Sequence, residues 1–151
     1  MMEEYLVGRC GLYCGACGIY RAERDRPKLR AWLAEHFGCR PEEVRCVGCR
    51  PDDPGCWSPD CKRLKCLEER GLENCAACPD AHPESCSLLA ELHEQYSAWG
   101  FDLAESLALL REEGAEGWLK SMEARYVCPG CGAKLTLNDN VCPECGNEVS
   151  R

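Results

Sequence analysis

Sixteen cysteines in a chain of 151 residues constrain the fold more than any other feature. They stand at Cys10, Cys14, Cys17, Cys39, Cys46, Cys49, Cys56, Cys61, Cys66, Cys75, Cys78, Cys86, Cys128, Cys131, Cys142 and Cys145, mostly at short spacings. The apolar complement beside them is lean. Leu, Ile, Val and Phe together number 26, a share at which a chain lacks the surface to hold itself folded. Such a core needs staples, and the cysteines must supply them. Disulfides are one option, but the opening MMEEYLVGRC has no apolar h-region and no small-residue cleavage site to mark it for secretion. No apolar run approaches membrane-spanning length. The expected location is therefore cytoplasmic, where closely spaced thiols read as metal ligands rather than disulfide partners. One tetrathiolate site contributes roughly 10–16 kcal/mol of apparent binding energy, which is also folding energy. Two or three would hold this chain.

The formal charge is −8, and a zinc ion held by four thiolates adds a net −2 to each site. A surface this acidic disfavours general nucleic-acid binding, which needs positive charge against phosphate. The small basic clusters at Arg21–Arg30 and at Lys62, Arg63 and Lys65 read as solvated helix faces with interspersed acids.

The cysteines divide the chain into three zones. Residues 1–86 form a Cys-rich metal-binding region, 87–127 a helical segment packed on it, and 128–151 a zinc ribbon. Leu29, Trp32, Leu33, His36 and Phe37 follow helical spacing, with Asp25 and Pro27 near the start and Gly38 at the stop. SPDCKRLKCLEERG predicts a second helix, with Ser58 as N-cap, Pro59 at the first helical position and Gly71 at the end. Residues 44–57 and 72–86 read as metal-bound loops. In the middle zone Leu88, Leu89, Leu92 and Tyr96 make one stripe. Leu103, Leu107 and Leu110 make a second, and Trp118, Leu119, Met122 and Tyr126 a third. Asp102 is an N-cap candidate with Glu105 three residues on, and Gly100 and Gly114 separate the segments. These stripes read as core faces.

VCPGCGAKLTLNDNVCPECGNE carries the strongest local signal. Cys128, Cys131, Cys142 and Cys145 form two C-P-x-C-G knuckles, each letting two thiolates reach one ion. The glycine after the second cysteine permits a tight turn in which backbone N–H groups approach the sulfurs. AKLTL followed by NDN suggests a short β-hairpin, so the segment resembles the small zinc ribbons. Four thiolates make a closed structural site with no open coordination position. The fold class expected is a small, metal-stabilised, mainly α protein with irregular Cys-rich loops and a C-terminal zinc-ribbon hairpin.

At the other end, RCGLYCGACGIY places Cys10, Cys14 and Cys17 at the C-x3-C-x2-C spacing by which radical-SAM enzymes hold a [4Fe-4S] cluster. The scaffold for that chemistry is missing. The chain has six Val and one Ile, no strand-like run follows Cys17, Ala16 stands where an aromatic is usual, and no glycine-rich motif follows. The ordered series CGLYCGACGIY, CVGCR at 46–50, then Cys56, Cys61 and Cys66 leading into KCLEERGLENCAACP, instead resembles the cysteine-rich family known as domain of unknown function 3795. EGWLKSMEARYVCPGCG is similar to the ribbon of a longer subgroup, so the resemblance spans nearly the whole chain. It implies zinc or an iron–sulfur centre, no assigned activity, and metal ligands at Cys10, Cys14, Cys17, Cys46, Cys49, Cys56, Cys61, Cys66, Cys75, Cys78 and Cys86. Cys39 has no counterpart in that pattern and reads as a free, buried thiol. CPDAHPESC is longer than the family's usual spacing, which leaves Cys86 less secure and brings in His82 as a substitute ligand, although a surface loop is its plainer role.

Zinc and iron–sulfur centres both take four thiolates. The CxxC knuckles and the absence of a ferredoxin-type run favour zinc. The three-cysteine opening and the x4 spacings at 56, 61 and 66 keep a [4Fe-4S] cluster in residues 1–86 as the alternative. No catalytic pairing stands out: His36 and His93 lie on predicted helices, and no Ser/His/Asp set or phosphate loop occurs. Three functions are consistent with these residues: a metal-stapled module presenting a surface to a protein partner, an iron–sulfur redox or sensor protein, and a protein that binds metal reversibly.

Overall fold

The computed structural model describes residues 4–149. Five α-helices are joined by irregular loops and by 3-10 turns at Glu4–Leu6, Cys14–Ala16, Pro41–Glu43 and Cys75–Ala77. Helix α1 spans Gly18–Asp25, immediately after the opening cysteines. Helix α2, Pro27–Phe37, starts with a proline whose missing N–H costs nothing there. It stops at Gly38, whose left-handed backbone (φ 66°) returns its N–H to Ala34 and Glu35. Helix α3, Lys62–Arg70, likewise ends at a left-handed Gly71. Its start corrects the expectation of a Ser58 cap: Pro59 and Asp60 form a turn, and Cys61 occupies the N-cap position.

Helix α4 covers Ser87–Ser97 and α5 Leu103–Arg125. Asp102 caps α5 as expected, its Oδ1 accepting the Glu105 N–H at 3.0 Å. Gly114 breaks the helix with an extended, positive-φ backbone (φ 72°, ψ 176°), dividing it into the two limbs that the leucine and tryptophan stripes predict. Leu103, Leu107 and Leu110 on the first limb, and Trp118, Leu119 and Met122 on the second, are buried.

One apolar core gathers around α5. Leu6, Tyr13, Ala16 and Tyr20 come from the opening segment, Leu67 from α3, Leu89 and Leu92 from α4, and Leu137 from the C-terminal zone. Cys75 and Cys78 belong to the same core. A second, smaller cluster packs Ala22, Leu33, Ala34 and Val44, with Cys39 partly buried at its edge.

Two expectations about faces change. Only part of the predicted α2 stripe points inward: Leu33 is buried, whereas Trp32 is 57 % and Phe37 47 % exposed. The arginines of 21–30 are not merely solvated. Arg21 pairs with Asp25 at 3.2 Å, Arg24 lies 3.4 Å over the Tyr20 ring, and Arg30 donates to the Val44 carbonyl at 3.1 Å. Arg26 reaches furthest, forming a two-pronged pair with Asp139 and donating to the Lys134 carbonyl at 2.9 Å.

The C-terminal hairpin does not form. Among the described residues there is no strand, only the isolated bridges Val7↔Tyr13, Val127↔Lys134 and Val141↔Glu148. The reason lies in where AKLTL spends its hydrogen bonds. The Leu135 N–H to Tyr126 and the Cys128 N–H to Ala133 close the single Val127↔Lys134 bridge, and pairing goes no further because the Leu137 N–H turns to Ala16 at 2.9 Å. Asp139 bends the chain by accepting the Thr136 N–H at 2.7 Å. The segment is consumed in docking the C-terminal zone onto the opening motif.

Candidate metal centre

The two C-P-x-C-G segments fold as copies of one turn, fourteen residues apart along the sequence. In the first, the Cys128 N–H meets the Ala133 carbonyl and the Gly132 N–H returns to Cys128. In the second, Cys142 meets Asn147 and Gly146 returns to Cys142. Both glycines have φ 77° with open space where a Cβ would stand, so the turn selects glycine through its backbone. The first cysteine of each turn, Cys128 or Cys142, is buried, and the second, Cys131 or Cys145, is exposed.

This repetition brings four sulfurs to one point. Cys128 Sγ lies 3.6 Å from Cys145 Sγ, and Cys131 Sγ 3.6 Å from Cys142 Sγ, so each short contact joins one knuckle to the other. All four Sγ atoms fall within 4.8 Å of one another. Thiolates at about 2.3 Å from a single tetrahedral ion stand about 3.8 Å apart. The group therefore has the size that one ion fills.

Backbone N–H groups aim at the sulfurs, as the knuckle sequence predicts. Those of Cys131 and Gly130 hydrogen-bond the Cys128 thiolate and pull its pKa down to about 7. The Ala133 N–H acts the same way on Cys131, but desolvation and the three neighbouring thiols outweigh it and push that pKa up to about 12. The Asn147 N–H serves Cys145 in the same way, but desolvation, Cys128 and Cys142 give a net rise. Four thiols so close cannot all ionise alone. A divalent cation removes the conflict by displacing their protons.

The N-terminal thiols are arranged differently. All sixteen cysteines are free, and the C-terminal tetrad is the sole group among the described residues whose ligand atoms all lie within 4.8 Å of one another. Cys10, Cys14, Cys17, Cys46 and Cys49 make one neighbourhood. Burial raises Cys14 well above the usual thiol range, and Cys17, Cys10, Cys49 and Cys46 act on it in turn. Burial likewise pushes Cys10 up to about 12, with Cys49, Cys61 and Cys75 adding to it. Cys56 and Cys61 lie at the edge of this group, beside Cys49.

The second neighbourhood is Cys66 on α3, Cys75 and Cys78 bracketing the 3-10 turn, and Cys86 at the N-cap of α4. These four line one cavity of about 320 Å³. Burial raises Cys75 to about 11, with Cys86, Cys78, Cys66 and Cys61 adding to it. Arg70, which the sequence did not single out, donates to Cys78 Sγ at 3.2 Å and to Asp80 at 3.3 Å. Its position one α-helical turn past Cys66 was the available signal. His82 does not join these thiols: its Nδ1 accepts the Glu84 N–H at 3.1 Å in an exposed loop.

The fold and the tetrad define a mainly helical, cysteine-rich protein with one cluster of four thiols able to hold a metal ion. The family model described as "Protein of unknown function (DUF3795)" matches residues 6–91, and the chain belongs to that family. No curated protein matches the chain, and no solved structure does. No helix of the described residues is long and apolar enough to cross a membrane.

Proposed function

We propose that this is a cytoplasmic metal-binding protein in which Cys128, Cys131, Cys142 and Cys145 hold one zinc ion as a closed, structural site. The observation that carries the reading is the sulfur tetrad, with 3.6 Å contacts that match the edge of a tetrahedral tetrathiolate. With all four positions taken by sulfur, no coordination position is left for a substrate, so the ion's work is to fold the segment. Sixteen unpaired thiols suit a reducing compartment. The test is zinc content by elemental analysis, with cobalt substitution to report tetrahedral sulfur coordination. One tightly held zinc per chain, lost in the Cys131→Ser/Cys145→Ser double variant, is expected. Zinc content unaffected by that double change would sink the assignment.

A protein-partner role is supported by a separate observation on α2. Trp32 and His36 stack with ring centroids 5.2 Å apart, His36 meets Phe37 edge-on at 5.1 Å, and Phe37 meets Trp57 at 5.1 Å. This row of rings lies largely open to water, and aromatic side chains are the preferred anchors of protein interfaces.

A further inference from the structure

The cavity between α3, the 3-10 turn Cys75–Ala77 and the start of α4 carries a second centre of a different kind. We propose that Cys66, Cys75, Cys78 and Cys86 hold a [4Fe-4S] cluster in this cavity. The proposal is independent of the zinc assignment in the knuckles.

Three observations lead there. Four thiols from three separate elements of the fold line one cavity of about 320 Å³. Yet no three of them meet the spacing at which the C-terminal sulfurs close on a single ion, since among the described residues that tetrad alone has its ligand atoms all within 4.8 Å. A single ion needs its thiolates that close, whereas a cubane cluster holds its four thiolates farther apart. Among groups bound by four cysteine thiolates, a cubane cluster is the one with that extent. The second observation is charge. A cluster with four thiolates is anionic, and Arg63 and Arg70 both line the cavity, against the single carboxylate of Asp80. Arg70 already hydrogen-bonds Cys78 Sγ at 3.2 Å. Arg63 is held in place by the Leu88 carbonyl, at 3.2 Å from Nε and 3.0 Å from one terminal nitrogen.

The third is support for the loop that bears two of the thiols. Arg111 on α5 donates to the carbonyls of Ala76 and Ala81 at 2.9 Å each, and the Cys75 N–H is fixed on the Arg9 carbonyl at 2.7 Å. Leu67 and Leu89 complete the wall, giving the partial exclusion of water that iron–sulfur centres use to set their stability and potential. Knuckle-like spacing alone favours zinc here, and the wider separation of these ligand atoms in the fold reverses that preference.

The test uses the full-length wild-type protein purified without oxygen. Iron, acid-labile sulfide and zinc are quantified, and thiols are mapped by alkylation and peptide mass spectrometry before and after iron is stripped by chelation under oxidant. The expected result is a brown protein in which Cys66, Cys75, Cys78 and Cys86 resist alkylation while iron is bound. They should become reactive together as colour and iron are lost. A Cys75→Ser variant should lose at least one cluster's worth of iron and keep its knuckle zinc. The proposal is overturned by a colourless, iron-free protein, by alkylation of these four thiols while iron is retained, or by wild-type iron in Cys75→Ser. The zinc assignment fails separately, through Cys128, Cys131, Cys142 and Cys145 reacting in the zinc-replete protein.

Discussion

Ser106 ties the opening motif to the longest helix with one hydroxyl. Its Oγ donates to the Gly11 carbonyl at 2.6 Å and accepts the Trp118 Nε1–H at 3.0 Å, all three groups being buried. Ser106→Ala leaves a buried indole N–H and a carbonyl without partners, which costs about 1–3 kcal/mol. Denaturant titration of the metal-loaded protein measures this, and an unchanged midpoint would show that water replaces the hydroxyl. Gly11 beside it has φ 96°, and a Cβ there would stand 2.8 Å from Leu107 Cδ2. Gly11→Ala combines backbone strain with a core clash, so a loss of more than about 1 kcal/mol is expected in the same titration. The glycines of CGLYCGAC thus answer to packing against α5 as much as to any ligand. Sequence inspection had tied this stretch only to its cysteines, because a Ser so far along the chain gives no local sign that it closes the motif.

At the scale of elements, the helices were legible where their punctuation is chemical. Pro27, Gly38, Gly71, Asp102 and Gly114 each act where the sequence places them. Asp102→Ala removes the cap from α5 and costs about 1 kcal/mol, measurable as a fall in thermal midpoint with no loss of bound metal. The knuckle turns were legible for the same reason: glycine and backbone N–H requirements are local. What failed was long-range. The AKLTL run alternates as a strand should, but beyond the single Val127↔Lys134 bridge its Leu137 N–H is claimed by Ala16, so no hairpin extends. Periodicity also assigned Trp32 and Phe37 to the core, although helix spacing says only that residues share a face. Because both are exposed, Trp32→Ala/Phe37→Ala should change stability by no more than about 0.5 kcal/mol for each site. A partner recovered with the wild-type protein should be lost with this variant. Retention of that partner would move the interaction elsewhere.

For the whole molecule, the distribution of thiols matters more than their number. Four sit in a double turn and four line one cavity, while Cys10, Cys14, Cys17, Cys46 and Cys49 make a third, partly buried neighbourhood. Such grouping is invisible in spacing, since Cys66 and Cys86 reach the same cavity from different helices. The C-terminal turn is moored by Arg26 and Asp139, whose side chains are 10 % and 16 % exposed and meet at 2.6 Å. Asp139→Ala strands the guanidinium in a mostly dry setting. The loss expected, discounted for that residual exposure, is on the order of 2 kcal/mol. Metal at the knuckles should stay bound in this variant while limited proteolysis cuts sooner between Tyr126 and Cys142, and unchanged proteolysis would show that the mooring lies in the Leu135 and Leu137 backbone bonds instead.

The bond from the Leu137 N–H to Ala16 carries a consequence for biogenesis. Ala16 lies between Cys14 and Cys17 and is fully buried, with Leu137 in the same core. Chains emerge from the ribosome N-terminus first, so the Ala16 carbonyl is synthesised early while the N–H that it accepts arrives late. Until then the opening motif stands without this tie to the C-terminal zone. The first motif made is among the last to be completed.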